Sequence, residues 1–149
     1  MLAETLLKDL GKRPKALIAK LGLDPHWKGA ILVAYMLKNA GFDVIYIGNA
    51  LPDDIIKTAI DEDVDVIGVN SLGGAHISLG LELIELLKER NMLTDRVVVI
   101  GGVIPPEDIN KLLKAGYDAV FISDHSITKD KILRVVMEKL KNKRKTVQQ

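Results

Sequence analysis

Val97-Val98-Val99-Ile100-Gly101-Gly102 is the stretch on which the fold turns. A short, Val- and Ile-rich run that is apolar at every position, with no alternation, suits a strand covered on both faces of a parallel sheet. Four further runs share this character, at residues 16–19, 44–47, 64–69 and 119–122. Between them the apolar spacing changes to that of helices. Ala30, Val33, Ala34 and Leu37 form one stripe, closed by Ala40-Gly41; Leu81, Ile84 and Leu87 form another. Residues 52–60 and 105–113 each open with proline followed by acids, Asp53-Asp54 and Glu107-Asp108, which favours a helix N-terminus. Residues 126–141, with Ile132, Val135, Val136 and Leu140 facing inward, complete the set.

Strand and helix therefore alternate five times. Short links and right-handed crossovers then imply an α/β doubly wound parallel sheet, Rossmann-like, with the flavodoxin-like strand order 2-1-3-4-5. In such a sheet a ligand lies at the carboxyl ends of the strands, by the switch point between strands 1 and 3. The loops to inspect are residues 21–28, 70–76, 101–104 and 123–126.

The chain has 149 residues and 48% hydrophobic content, which suits one domain over residues 1–149, with a helical lead-in at 1–13 and a frayed basic tail at 142–149. That length is too short for a complete (β/α)₈ barrel of about 250 residues. The 21 basic and 20 acidic residues give a net charge of +1, so no large positive field gathers nucleic acid. The absence of cysteine removes disulfides, thiolate catalysis and Cys-based metal sites. No apolar run approaches the roughly 20 residues of a membrane span, and Met1-Leu2-Ala3-Glu4 lacks the basic start of a signal peptide. The expectation is a soluble, cytoplasmic protein with no nucleic-acid or membrane partner.

The first loop, Lys20-Leu21-Gly22-Leu23-Asp24-Pro25-His26-Trp27-Lys28-Gly29, is longer than most strand-to-helix links. An imidazole suits a transition metal, and a carboxylate that takes its other N–H fixes the tautomer. Lys20 could keep Asp24 ionised. One histidine cannot hold a free ion, so unless His76 or His125 converges on it the metal must arrive in a macrocycle. The plainer reading makes His26 a loop histidine bonded to Asp24.

At these residues the chain resembles a known family. Asp24-x-His26-x-x-Gly29, the Ser-x-Leu-like triplet Asn70-Ser71-Leu72 and Gly101-Gly102 are similar to the cobalamin-binding domain, or small subunit, of adenosylcobalamin-dependent acyl-CoA mutases, the methylmalonyl-CoA mutase family. The likeness runs from about residue 15 to 140 and includes Gly74-Ala75-His76. It implies adenosylcobalamin as cofactor, with His26 as the lower axial ligand to cobalt, Asp24 accepting from its distal nitrogen and Lys20 completing the relay. It implies room for the cofactor's tail at Gly29, Gly101 and Gly102, with Asn70, Ser71, Leu72, His76 and Ser123 around the cofactor. It further implies a large, barrel-containing mutase subunit that binds the acyl-CoA, this chain being an isomerase subunit inactive alone.

Some residues depart from the pattern. Asn70 stands where the family has Ser, and Pro25 and Trp27 flank the histidine. The turn Ile122-Ser123-Asp124-His125-Ser126 replaces a Gly-Pro-Gly-Thr-like one and brings an acid near the tail unless Lys129 or His125 offsets it. Other readings are a stand-alone corrinoid carrier or sensor and a degenerate homologue that no longer binds cobalamin. A phospho-acceptor receiver needs an Asp where this chain has Asn70; flavin binding would share the fold.

Overall fold

In a computed structural model of the chain, which describes residues 13–21, 28–71, 76–122 and 129–148, five strands and five helices alternate. The strands are β1 (Lys15–Leu21), β2 (Asp43–Ala50), β3 (Val66–Ser71), β4 (Val97–Gly102) and β5 (Ala119–Ile122). The helices are α1 (Lys28–Asn39), α2 (Pro52–Glu62), α3 (Ser78–Glu89), α4 (Pro106–Ala115) and α5 (Lys129–Gln148). All strand pairs are parallel, in the order β2-β1-β3-β4-β5. This is the flavodoxin-like sheet expected, and its switch point falls between β1 and β3.

Successive residues of β4 show why the strands are apolar throughout. Val98 and Ile100 pack with Leu17, Ile67, Ile55 of α2, Leu83 and Leu87 of α3 and Leu112 of α4. Val97 and Val99 face the other way, into a second core with Ile18, Leu37 of α1 and Val136 and Leu140 of α5. Neither face reaches water, so no position is left for a polar residue.

Helix ends follow the local signals. Pro52 starts α2, and Asp54 Oδ2 accepts a hydrogen bond from the Leu51 N–H at 3.2 Å. After α1 the chain turns at Gly41, whose φ of 105° lies in a region open chiefly to glycine. At the amino edge of the sheet, Asp65 Oδ2 accepts from the Lys15 N–H at 2.9 Å and Asp118 Oδ2 from the Val98 N–H at 2.8 Å. Asp65 thus sits at the edge opposite the switch-point crevice.

Several boundaries differ from expectation, with β1 and β2 extending beyond the expected 16–19 and 44–47. The last helix runs to Gln148, where a frayed tail from residue 142 was expected. Its extension is held by Lys143, whose Nζ donates to the Leu93 carbonyl at 2.6 Å, to the Arg96 carbonyl and to Asp118 Oδ2 at 2.8 Å. The third strand begins at Val66; Val64 and Asp65 form its lead-in. The lead-in helix expected within residues 1–13 lies outside the described residues, except for Arg13.

Candidate cofactor site

Residues at the carboxyl half of the sheet shrink on one face. Along β3 that face carries Val66, Gly68 and Asn70, and along β4 Val97, Val99 and Gly101. Where the glycines remove side chains, an apolar slot of about 60 Å³ opens beneath α1 and α5. Ile18, Val99 and Phe121 line it from the sheet, Val33 and Leu37 from α1, and Ile132 and Val136 from α5. Asn70 supplies the polar side chain in this lining.

The glycines hold the slot open in measurable ways. A Cβ on Gly68 would stand 2.8 Å from Ile18 Cδ1, and one on Gly101 would stand 3.3 Å from the Phe121 carbonyl and 3.7 Å from Asn70 Oδ1. A glycine inside a strand commonly marks close approach by a ligand or another backbone. The lining is apolar with one amide at its edge, which is the character a flat, largely apolar cofactor tail requires.

The other site residues fall into distinct positions. Lys20 is the penultimate residue of β1, with its Cα opposite Asn49 of β2 and Asn70 of β3, and it is only 4% exposed. A buried ammonium requires an anion or several acceptors beside it. Its expected partner Asp24 lies outside the described residues, as do His26, Leu72 and Ser123, together with Asp124 and His125. Gly29 is in the first turn of α1.

Ser71 and Gly102 depart from the tail-flanking roles expected of them. Ser71 follows Asn70 in an extended strand, so its side chain points to the opposite face; its Oγ is buried and has no hydrogen-bond partner among the described residues. Gly102 is required by the backbone: its φ is 132°, a Cβ there would collide with the Ser71 carbonyl oxygen, and this geometry lets the Val103 N–H reach that oxygen at 3.2 Å. Of the Gly101-Gly102 pair, only Gly101 lines the slot.

His76 is buried on the connection after β3, with Nε2 2.8 Å from Asp108 Oδ2 in the first turn of α4. The bond from the imidazole, aided by Lys111, holds the Asp108 carboxyl below the usual carboxylate range although desolvation opposes this. Sequence reasoning missed Gly68 and Asp108. Gly68 was readable as a lone glycine in a β-branched run; Asp108 had been assigned only a helix-starting role.

Comparison with known proteins completes the site. The model of the B12 binding domain family matches residues 14–147. The chain belongs to this B12-binding family. Its relatives include the small subunit of 2-hydroxyisobutanoyl-CoA mutase from Aquincola tertiaricarbonis, 42% identical over 111 residues that cover 74% of this chain and 81% of that one. Methylmalonyl-CoA mutase of Cereibacter sphaeroides is 39% identical over 120 residues, covering 79% of this chain but 17% of that larger protein. A cobalamin-binding protein from Desulfitobacterium hafniense DCB-2 superposes with a TM-score of 0.70 at 23% identity, over 91% of this chain and 66% of that one. That last likeness concerns the fold. Among the described residues of this B12-binding domain, no helix is long and apolar enough to cross a membrane.

Proposed function

We propose that this chain is the cobalamin-binding subunit of an adenosylcobalamin-dependent acyl-CoA mutase. The observation that carries the reading is the match to a mutase small subunit along 81% of its length. The glycine-floored slot supports it independently, because it offers the cofactor's tail an apolar cleft at the sheet's switch point. When bound, adenosylcobalamin supplies the radical chemistry of carbon-skeleton isomerisation.

The chain's own residues ligate, orient and exclude. His26 would hold the cobalt, Asp24 would accept from its distal nitrogen, and Lys20, buried near the end of β1, would keep Asp24 ionised. Gly29, Gly68 and Gly101 leave room for the tail, and Asn70 meets its polar edge. Leu72 and Ser123 would border the corrin. The acyl-CoA pocket belongs to a large, barrel-containing partner subunit, and the choice between substrates of the methylmalonyl-CoA and 2-hydroxyisobutanoyl-CoA kinds is made there. The protein works in the cytoplasm as a heteromer.

The test is spectroscopic. Adenosylcobalamin is added to the ¹⁵N-labelled chain, the cobalt is reduced to the divalent state, and the EPR spectrum is recorded. Superhyperfine splitting that changes with the label, and is lost in His26→Ala, is the expected result. Absence of bound corrinoid at high micromolar concentration overturns the cofactor reading, and unchanged splitting in His26→Ala overturns the ligand assignment.

A further inference from the structure

Among the described residues, His76 on the connection leaving β3 pairs with Asp108 in the first turn of α4, 32 residues away in sequence. His76 is 6% exposed, and Asp108 Oδ2 lies 2.8 Å from its Nε2. Lys111 Nζ lies 3.6 Å from Asp108 Oδ1, one turn along α4. Asp108 is held ionised by the imidazole bond, and a carboxylate has no proton to give, so the proton in this bond sits on Nε2. In the neutral form of the ring this leaves Nδ1 as a bare lone pair.

That Nδ1 is buried, with no hydrogen-bond partner among the described residues. Buried acceptors in folded proteins are almost always paired, so this atom calls for a donor. It stands five residues beyond the last residue of β3, on the carboxyl side of the sheet where the slot opens. The periphery of a corrin ring carries primary carboxamides, whose N–H groups are donors of the kind a bare imidazole nitrogen accepts.

Resting on the corrinoid reading above, we propose that Asp108 is a positioning residue for the cofactor: it fixes the His76 tautomer so that Nδ1 accepts a hydrogen bond from a peripheral carboxamide of the corrinoid. His76 touches the ligand; Asp108 acts only through His76. A carboxylate that orients a histidine through its far nitrogen is the same device used around metal sites, here turned toward an amide.

Two-bond ¹H–¹⁵N spectra of the full chain labelled at histidine test the proposal, with the His76 signals assigned from His76→Gln. In the free chain His76 is expected as the Nε2–H tautomer, and its Nδ1 resonance should move upfield when adenosylcobalamin is added. His76→Gln keeps a donor toward Asp108 but has nothing at the Nδ1 position, so its cobalamin affinity should fall about five- to tenfold. His76→Asn places its amide near Nδ1 and should recover part of that loss, and Asp108→Ala should allow a mixture of tautomers. An Nδ1–H tautomer in the free chain overturns the proposal outright. So does tight cobalamin binding with an unmoved Nδ1 signal and full affinity in His76→Gln, which would make the pair a structural clamp between two connections. If the wild-type chain binds no cobalamin, the corrinoid reading itself fails, a result distinct from binding that ignores His76.

Discussion

Gly68 and Gly102 both lack a side chain, for reasons that a single pair of substitutions separates. At Gly102 the backbone itself is the obstacle, since φ is 132° and a Cβ would collide with the Ser71 carbonyl oxygen that accepts from Val103. Gly102→Ala should therefore cost more than about 3 kcal/mol, the scale of a forced steric clash in a left-handed backbone region. At Gly68 the obstacle is Ile18 Cδ1, the far end of a flexible side chain beside open space. Gly68→Ala should cost less than about 1 kcal/mol, because the methyl can move into the slot. Once there, it occupies the room meant for the cofactor's tail. The expected outcome is near-normal stability by chemical denaturation with cobalamin affinity reduced about tenfold, whereas Gly102→Ala loses stability first. Equal stability loss in the two variants would refute this division of roles.

At the scale of elements, α5 gives the sharpest comparison between pattern and structure. The five strands and the apolar part of every helix were legible because burial leaves a periodic trace: all-apolar where both faces are covered, and spaced by three and four where one face is. Beyond Lys141 that trace ends, for Asn142, Lys143, Arg144 and Lys145 carry no apolar stripe. What keeps the helix going there is a long-range tie. The Lys143 ammonium reaches two carbonyls before β4 and the Asp118 carboxylate before β5, groups from 25 to 50 residues away in sequence. The His76–Asp108 pair escaped notice for the same reason, whereas Lys20 and Asn70 were placed correctly at strand ends because position along a strand is local information. Lys143→Met tests the tie. It leaves Asp118, whose side chain is 15% exposed, without its cation. Removing one partner of a fully buried pair costs about 3–5 kcal/mol, and partial exposure lowers this to about 2 kcal/mol. Denaturant titration should show that loss, with hydrogen exchange accelerated first in the last two turns of α5. Unchanged protection of those turns would mean that α5 holds itself in place.

For the whole molecule, the two cores are unequal. Among the described residues, the slot of about 60 Å³ belongs to the core under α1 and α5, not to the one covered by α2, α3 and α4. Leaving a void of that size in an apolar core costs on the order of 1 kcal/mol, which a ligand that packs it returns to the folded state. Binding must then appear as stability, since a ligand held only by the native state stabilises it by mass action. At a free concentration of about 100 times Kd the gain is about 2.7 kcal/mol. For a domain of this size that corresponds to a rise in Tm of roughly 5–10 °C. Thermal unfolding of the chain with and without adenosylcobalamin should show this rise in the absence of any partner subunit, because the slot is built from this chain's own α1, α5 and sheet. Gly68→Ala should show a smaller rise at the same cofactor concentration, in proportion to its weaker affinity. If saturating cofactor leaves Tm unmoved although corrinoid remains bound, the corrinoid is held as well by the unfolded chain as by the folded one, and the slot is not its seat. A rise that persists undiminished in Gly68→Ala leads to the same conclusion from the other direction, since a tail inserted beside Ile18 cannot be indifferent to a methyl group placed there.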